Sequence, residues 1–188
     1  MLEITKNIGP EDVFIFYYAG HGVMSLDEFY LVMNNVTNLY GDDEMLKQKA
    51  VSAHELLELS KEISAQKQLF VLDACQSGGA LTALAQRGAA REKSLAQLAR
   101  SSGTYFLTAS QDAQFANEAS DLKHGLFTYA ILEILTGKNG NSDEKITVNQ
   151  IKSYVEIRVP ELSEKYHGTT QYPTSYTFGQ DFPLVIVK

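Results

Sequence analysis

Two short stretches of the chain carry side chains able to do covalent chemistry. Ala19-Gly20-His21-Gly22 holds an imidazole between glycines, and Asp73-Ala74-Cys75-Gln76-Ser77-Gly78-Gly79 holds the single thiol of the chain. A thiol is a weak nucleophile until it loses its proton. A neighbouring imidazole takes that proton, or stands beside the thiolate as a cation. Gly20 and Gly22 would allow tight backbone turns around His21 and let a substrate come close. The backbone N–H groups of Gly22 and Cys75 are candidates to stabilise the oxyanion of an acyl-transfer intermediate. Taken singly, a cysteine is more often a small buried hydrophobe. Two glycine-flanked turns with complementary groups are harder to explain by packing.

For these groups to meet, the segments before them must be neighbouring parallel strands. Four short apolar runs read as buried strands: Asp12–Tyr18, Gln68–Asp73, Thr104–Ala109 and Phe182–Val187. The first two are nearly continuous in apolarity, as in parallel strands covered on both faces. The last contains Pro183, which cannot donate a ladder hydrogen bond and so marks an edge strand. Between the runs lie helical patterns. Leu56, Leu59 and Ile63 share one face over roughly residues 53–66. Phe127, Ala130, Ile131 and Ile134 repeat at helical spacing, with Gly137 as the stop. Thr147 and Gln150 have the spacing of a capping box, ahead of Val148, Ile151 and Val155. Glu28–Val36 suggests a small hairpin, and Gly41–Glu44 a polar turn. The alternation of strand and helix argues for an α/β fold with a parallel sheet. In such sheets, ligands bind in the crevice at the carboxyl ends of the strands, where His21 and Cys75 would share one rim.

Composition narrows the classes. The 188 residues are 44% hydrophobic and 21% charged, as in an ordinary globular domain. No apolar run reaches the roughly 18 residues that span a membrane. The opening Met1–Lys6 lacks an apolar signal core, so a cytoplasmic location is expected. One cysteine excludes an internal disulfide and a cysteine-built zinc site. A net charge of −7 disfavours nucleic-acid binding through a basic patch.

FYYAGHG followed by VLDACQSGG resembles the histidine and cysteine motifs of the caspase-like cysteine peptidases, which include caspases, metacaspases, paracaspases and bacterial relatives. Thr108–Gln114, His124–Thr128, Gln171-Tyr172-Pro173 and the closing Asp181–Val187 are similar, in order, to later segments of that family. The resemblance extends over nearly the whole of residues 1–188. It implies a three-layer fold with a mostly parallel central sheet flanked by helices. It also implies peptide-bond cleavage by a His21–Cys75 dyad with no cofactor. Cys75 would attack the scissile carbonyl, and His21 would protonate the leaving amine.

True caspases, which cut after aspartate, have glutamine two places before the catalytic cysteine. This chain has Asp73 there, as do metacaspases and paracaspases, which cut after arginine or lysine. The physics agrees, since a partly desolvated carboxylate pairs with a cation and repels an acid. Asp112 matches an acidic metacaspase position, and Glu118 falls near an acidic pocket position of paracaspases. The expected pocket is therefore Asp73 with Asp112 and Glu118, preferring Arg over Lys. Many metacaspases bind calcium through an aspartate pair before the helix that precedes the cysteine strand. Here that place reads Val51-Ser52-Ala53, and the acids Asp42, Asp43 and Glu44 lie earlier, so no metal site is expected. Residues 76–102 form a long segment containing Arg87, Arg91 and Arg100, which an Arg-preferring enzyme would be able to cut itself.

One departure stands out. The family sheet has an opening strand pair, with a helix between, before the histidine strand. Only eleven residues precede Asp12 here. Three explanations are open: a fragment of a longer protein, another chain that supplies the strands, or a trimmed fold that is inactive. The leading expectation is a cysteine endopeptidase of bacterial style, regulated by other domains or partner chains, with a protein or peptide carrying a basic residue as substrate. The alternatives are an inactive caspase-like module acting in protein–protein interaction, and a non-proteolytic thiol hydrolase or acyltransferase.

Overall fold

Strand β1 (Val13–Gly20) alternates side chains between two environments, as the pleat dictates. Phe14, Phe16 and Tyr18 pack on one face of the sheet, while Val13, Ile15 and Tyr17 are exposed on the other. In the computed structural model, the described residues are 7–25, 28–34, 43–74, 103–109, 118–119, 122–138 and 145–186. After β1 come β2 (Gly22–Ser25), β3 (Glu28–Val32), α1 (Asp43–Lys49), β4 (Ala50–Ser52), α2 (Ala53–Glu62) and β5 (Lys67–Ala74). They are followed by β6 (Gly103–Thr108), β7 (Glu118–Ala119), β8 (His124–Gly125) and α3 (Leu126–Leu135). The last are β9 (Lys145–Thr147), α4 (Val148–His167), β10 (Thr174–Gly179) and β11 (Pro183–Ile186).

The main sheet has the order β1-β5-β6-β10. β1, β5 and β6 are parallel, and β10 joins β6 antiparallel. β5 is its buried centre: Phe70 and Leu72 face one side, Leu69 and Val71 the other. On the first side Leu72 packs with Leu56 of α2, and the ring of Phe70 stacks on Phe106 at 4.5 Å. On the second side Leu69 and Val71 meet Leu126, Phe127 and Ala130 of α3, and Ile151 and Val155 of α4. Helices therefore cover both faces, which makes the fold a mixed α/β architecture with a mainly parallel central sheet.

The helix ends follow local chemistry. Thr147 and Gln150 form the expected capping box of α4, and Gly137, in a left-handed conformation, follows α3. Ser52 and Glu55 form a second capping box at α2, supported by the buried Glu28, whose Oε1 accepts the His54 N–H at 3.1 Å. α3 and α4 are tied by Glu133, which accepts from Arg158 Nε at 2.8 Å and from the Tyr154 hydroxyl at 2.7 Å.

Three expectations change. Phe182–Val187 does not extend the main sheet: β11 pairs with β9 in a separate ribbon, and β10 takes the edge beyond β6. The ribbon serves α4, because the Phe182 carbonyl accepts the Val148 N–H and Asp181 Oδ1 accepts the Asn149 N–H. Gly41–Glu44 is not all turn: Asp43 and Glu44 already belong to α1, where exposed Glu44 lies near Lys47. Gly41 and Asp42 lie outside the described residues. The hairpin expected within Glu28–Val36 lies earlier: Glu28–Val32 is one arm, β3, its partner is β2 before it, and β4 extends the pair into a three-stranded antiparallel sheet.

Candidate active site

Parallel pairing of β1 with β5 sets Ala19 beside Asp73 and Gly20 beside Ala74. His21 is the next residue after Gly20 and is exposed. Cys75 is the next residue after Ala74 and lies outside the described residues. The two chemical groups thus follow a register pair at the carboxyl edge of the sheet, the rim where α/β proteins bind ligands.

The backbone of His21 is held at its carbonyl. It accepts the Val32 N–H at 2.9 Å and lies 2.8 Å from the Tyr18 hydroxyl. The same hydroxyl lies 2.7 Å from the Val32 carbonyl, so one proton is shared between two acceptors. Burial raises the Tyr18 pKa above its ordinary value. Gly20 makes room for this ring, since a Cβ there would stand 2.6 Å from the Tyr18 hydroxyl. The glycines with positive φ among the described residues are Gly137, Gly168 and Gly179. Gly20 therefore serves by lacking a side chain rather than by making a tight turn, which corrects the expectation.

Gly22 pairs with Leu31, and the bond from Val32 N–H to the His21 carbonyl makes that a non-hydrogen-bonded pair. In such a pair the N–H points away from the partner strand. The Gly22 N–H is thus left out of the β2–β3 ladder, on the residue beside His21.

Asp73 is 8% exposed and reaches the start of α3. Its Oδ2 accepts the Thr128 N–H at 3.2 Å and the Thr128 hydroxyl in a short bond. Gly125, the N-cap residue of α3, has no side chain to cap with. Asp73 therefore satisfies a donor that the helix cannot, and its charge lies at the favourable end of the helix dipole. Gly125 also leaves room for the carboxylate, because a Cβ would lie 2.6 Å from Oδ2. Glu118 pairs through its backbone with this same Gly125.

Asp112 and the arginines Arg87, Arg91 and Arg100 lie outside the described residues, as does all of segment 76–102. Four contributors were not anticipated: Tyr18, Gly125, Thr128 and Gln171. Buried Gln171 donates to the Ala109 carbonyl at 2.6 Å, fixing the end of β6 beside the site. Its sequence context, Gln171-Tyr172-Pro173, does not reveal this partner, which is 62 residues away. His54, His124 and His167 are exposed on other elements. Among the described residues no group of three or more His, Cys, Asp or Glu converges on a metal position. No helix among them is long and apolar enough to cross a membrane.

A groove of about 390 Å³ is lined by Ile15 and Tyr17 of β1, Val71 of β5, and Thr128, Ile131 and Leu132 of α3, among others. Two of its lining residues, Tyr17 and Thr128, are hydrogen-bonded through their hydroxyls at 2.8 Å.

Comparison with known proteins gives this arrangement its context. The family model described as the caspase domain matches residues 3–182. Among solved structures, a crystal structure of a protein from Geobacter sulfurreducens is 16% identical with a TM-score of 0.54, over 99% of this chain and 73% of that one. At that identity the likeness concerns the fold. No curated protein matches the chain.

Proposed function

Since the chain belongs to the caspase domain family of peptidases, we propose that it is a cysteine endopeptidase whose His21 and Cys75 cleave the bond after arginine or lysine. The observation that carries this reading is the register of β1 on β5, with Gly20 beside Ala74 and a histidine and a cysteine next along each strand. Asp73, buried two residues before Cys75, favours a cationic side chain in the pocket. In this reading Asp112 and Glu118 add to the same pocket.

The reaction follows from the groups. The Cys75 thiolate attacks the carbonyl carbon, and the electron pair moves to oxygen. The N–H groups of Gly22 and Cys75 receive that oxyanion, and the position of Gly22 outside its ladder supports this role. His21 gives a proton to the departing amine, leaving a thioester. Water, deprotonated by His21, then hydrolyses the thioester and restores the thiol.

An added strand pair with its helix, from another chain or segment, completes the enzyme in this proposal. The support is the edge position of β1 among the described strands, with Val13, Ile15 and Tyr17 at 40%, 53% and 51% exposure. An uncovered parallel edge of this length invites pairing. Cleavage within 76–102 at Arg87, Arg91 or Arg100 belongs to the same reading. So does a cytoplasmic setting, which suits a single reactive thiol.

Fluorogenic peptides ending in Arg, Lys or Asp, given to wild type and to Cys75→Ala, test the proposal. Cleavage after Arg and Lys, lost in the variant, is expected. Cleavage after Asp would overturn the pocket. Absence of cleavage in all three, with the uncovered β1 edge occupied, would overturn the enzyme.

A further inference from the structure

Asp73 is the pocket residue of the proposed specificity, and its orientation depends on a residue fifty-five positions later. Thr128 is the third residue of α3, where the backbone N–H has no partner within the helix. Both its N–H and its hydroxyl donate to one oxygen, Asp73 Oδ2. A threonine hydroxyl has a single proton, and an ionised carboxylate only accepts. With that proton given to Asp73, the bond between Thr128 and Tyr17 takes its proton from the tyrosine. The direction of the chain is thereby fixed: Tyr17 donates to Thr128, and Thr128 donates to Asp73.

We propose that Thr128, supported by Tyr17, is the positioning residue that fixes the Asp73 carboxylate for a cationic side chain. This rests on the reading of Asp73 as the wall of the specificity pocket. A guanidinium recognises a carboxylate through paired, planar hydrogen bonds, so the rotation of the carboxylate matters as much as its charge. Two donors on Oδ2 set that rotation, and Gly125 leaves the space it occupies. Tyr17 is half-exposed on the uncovered face of β1, so the chain runs from that face to the pocket.

The test compares kcat/KM for two peptides that differ only in arginine or its neutral isostere citrulline at the cleaved position. A merely structural role would lower both rates alike and leave their ratio unchanged. Thr128→Val keeps the shape and removes the hydroxyl; the Arg-to-citrulline ratio should fall about tenfold, chiefly through KM for the Arg peptide. Thr128→Ser should restore it to within about threefold, and Tyr17→Phe should lower it about threefold. Asp73→Ala serves as the reference and should abolish the preference. A wild-type ratio in Thr128→Val while Asp73→Ala loses it would overturn this inference alone. So would Thr128→Ser as impaired as Thr128→Val. A wild-type ratio in Asp73→Ala would overturn the pocket reading and this inference together, as would failure of the wild type, with the uncovered β1 edge occupied, to cleave either peptide. If Thr128→Val does not fold, Tyr17→Phe decides, and an unchanged ratio there refutes the proposal.

Discussion

Replacing Gly125 with alanine puts a methyl group against the Asp73 carboxylate. Gly125 has φ −57° and ψ 146°, a conformation that alanine adopts without strain. The cost therefore lies in contact. The new Cβ would stand 2.6 Å from Oδ2 and 3.2 Å from both Cγ and Oδ1. Non-bonded heavy atoms attract only beyond ~3.5 Å, so the carboxylate must move. In moving it gives up the two bonds it receives from Thr128. Hydrogen bonds to a charged group contribute about 1.5–3 kcal/mol each, and relaxation keeps part of that, so a loss of about 2–3 kcal/mol is expected. For a chain of this size the melting temperature should fall by about 5–10 °C. A double-mutant cycle isolates the cause. In an Asp73→Ala background the methyl meets no carboxylate, and Gly125→Ala should then cost less than about 1 kcal/mol. Urea unfolding of the four proteins measures this coupling. Costs that add to within about 0.5 kcal/mol would refute the claim that Gly125 makes room for Asp73.

Three further outcomes follow from the geometry. Glu133 is held below the usual carboxylate range, first by its bond from the Arg158 guanidinium. The folded state thus binds this proton more weakly than the unfolded chain, and the stabilisation, complete above the unfolded pKa, is lost as pH falls through the folded one. Glu133→Gln should cost about 1–3 kcal/mol at neutral pH and flatten the acid limb of urea midpoints measured against pH; an unchanged limb would count against the ion pair. Tyr18→Phe removes the proton shared by the His21 and Val32 carbonyls and should lower kcat with KM retained, at a stability cost of about 0.5–1.5 kcal/mol; a change in KM alone would contradict this role. Peptide cleavage should persist in EGTA, and its abolition would show a calcium requirement.

The legible part of the fold was the part written in apolar runs. β1, β5 and β6 are continuous enough in Phe, Leu and Val to be found by eye, and capping residues Thr147 and Gln150 mark their helix without outside help. β10 escaped because Thr174–Gly179 is polar and half-exposed, with little apolar pattern to separate it from a loop. β11 is legible as an edge strand, but its separate ribbon is not, because its partner β9 is a three-residue segment with no pattern of its own. The site divides in the same way. His21 stands at the end of a readable strand, and the register of β1 on β5 fulfils what the alternation of elements required. The partners of Asp73 were not readable. Its donor, Thr128, lies in another element, and only the packing of α3 against β5 brings the two together. Gly20 suggested a turn by its type, whereas the Tyr18 ring explains it.

The central claim is that the thiol following β5 is a nucleophile served by His21 and aimed at basic residues. A peptidyl-arginine acyloxymethyl ketone, from which a nucleophilic cysteine displaces the carboxylate to leave a stable thioether, tests it by intact mass. With one cysteine in the chain, any thiol adduct is on Cys75. A single adduct, absent in Cys75→Ala, strongly slowed in His21→Ala and outcompeting an aspartyl probe, is the predicted result. Equal labelling by the aspartyl probe, or undiminished labelling of His21→Ala, would contradict it.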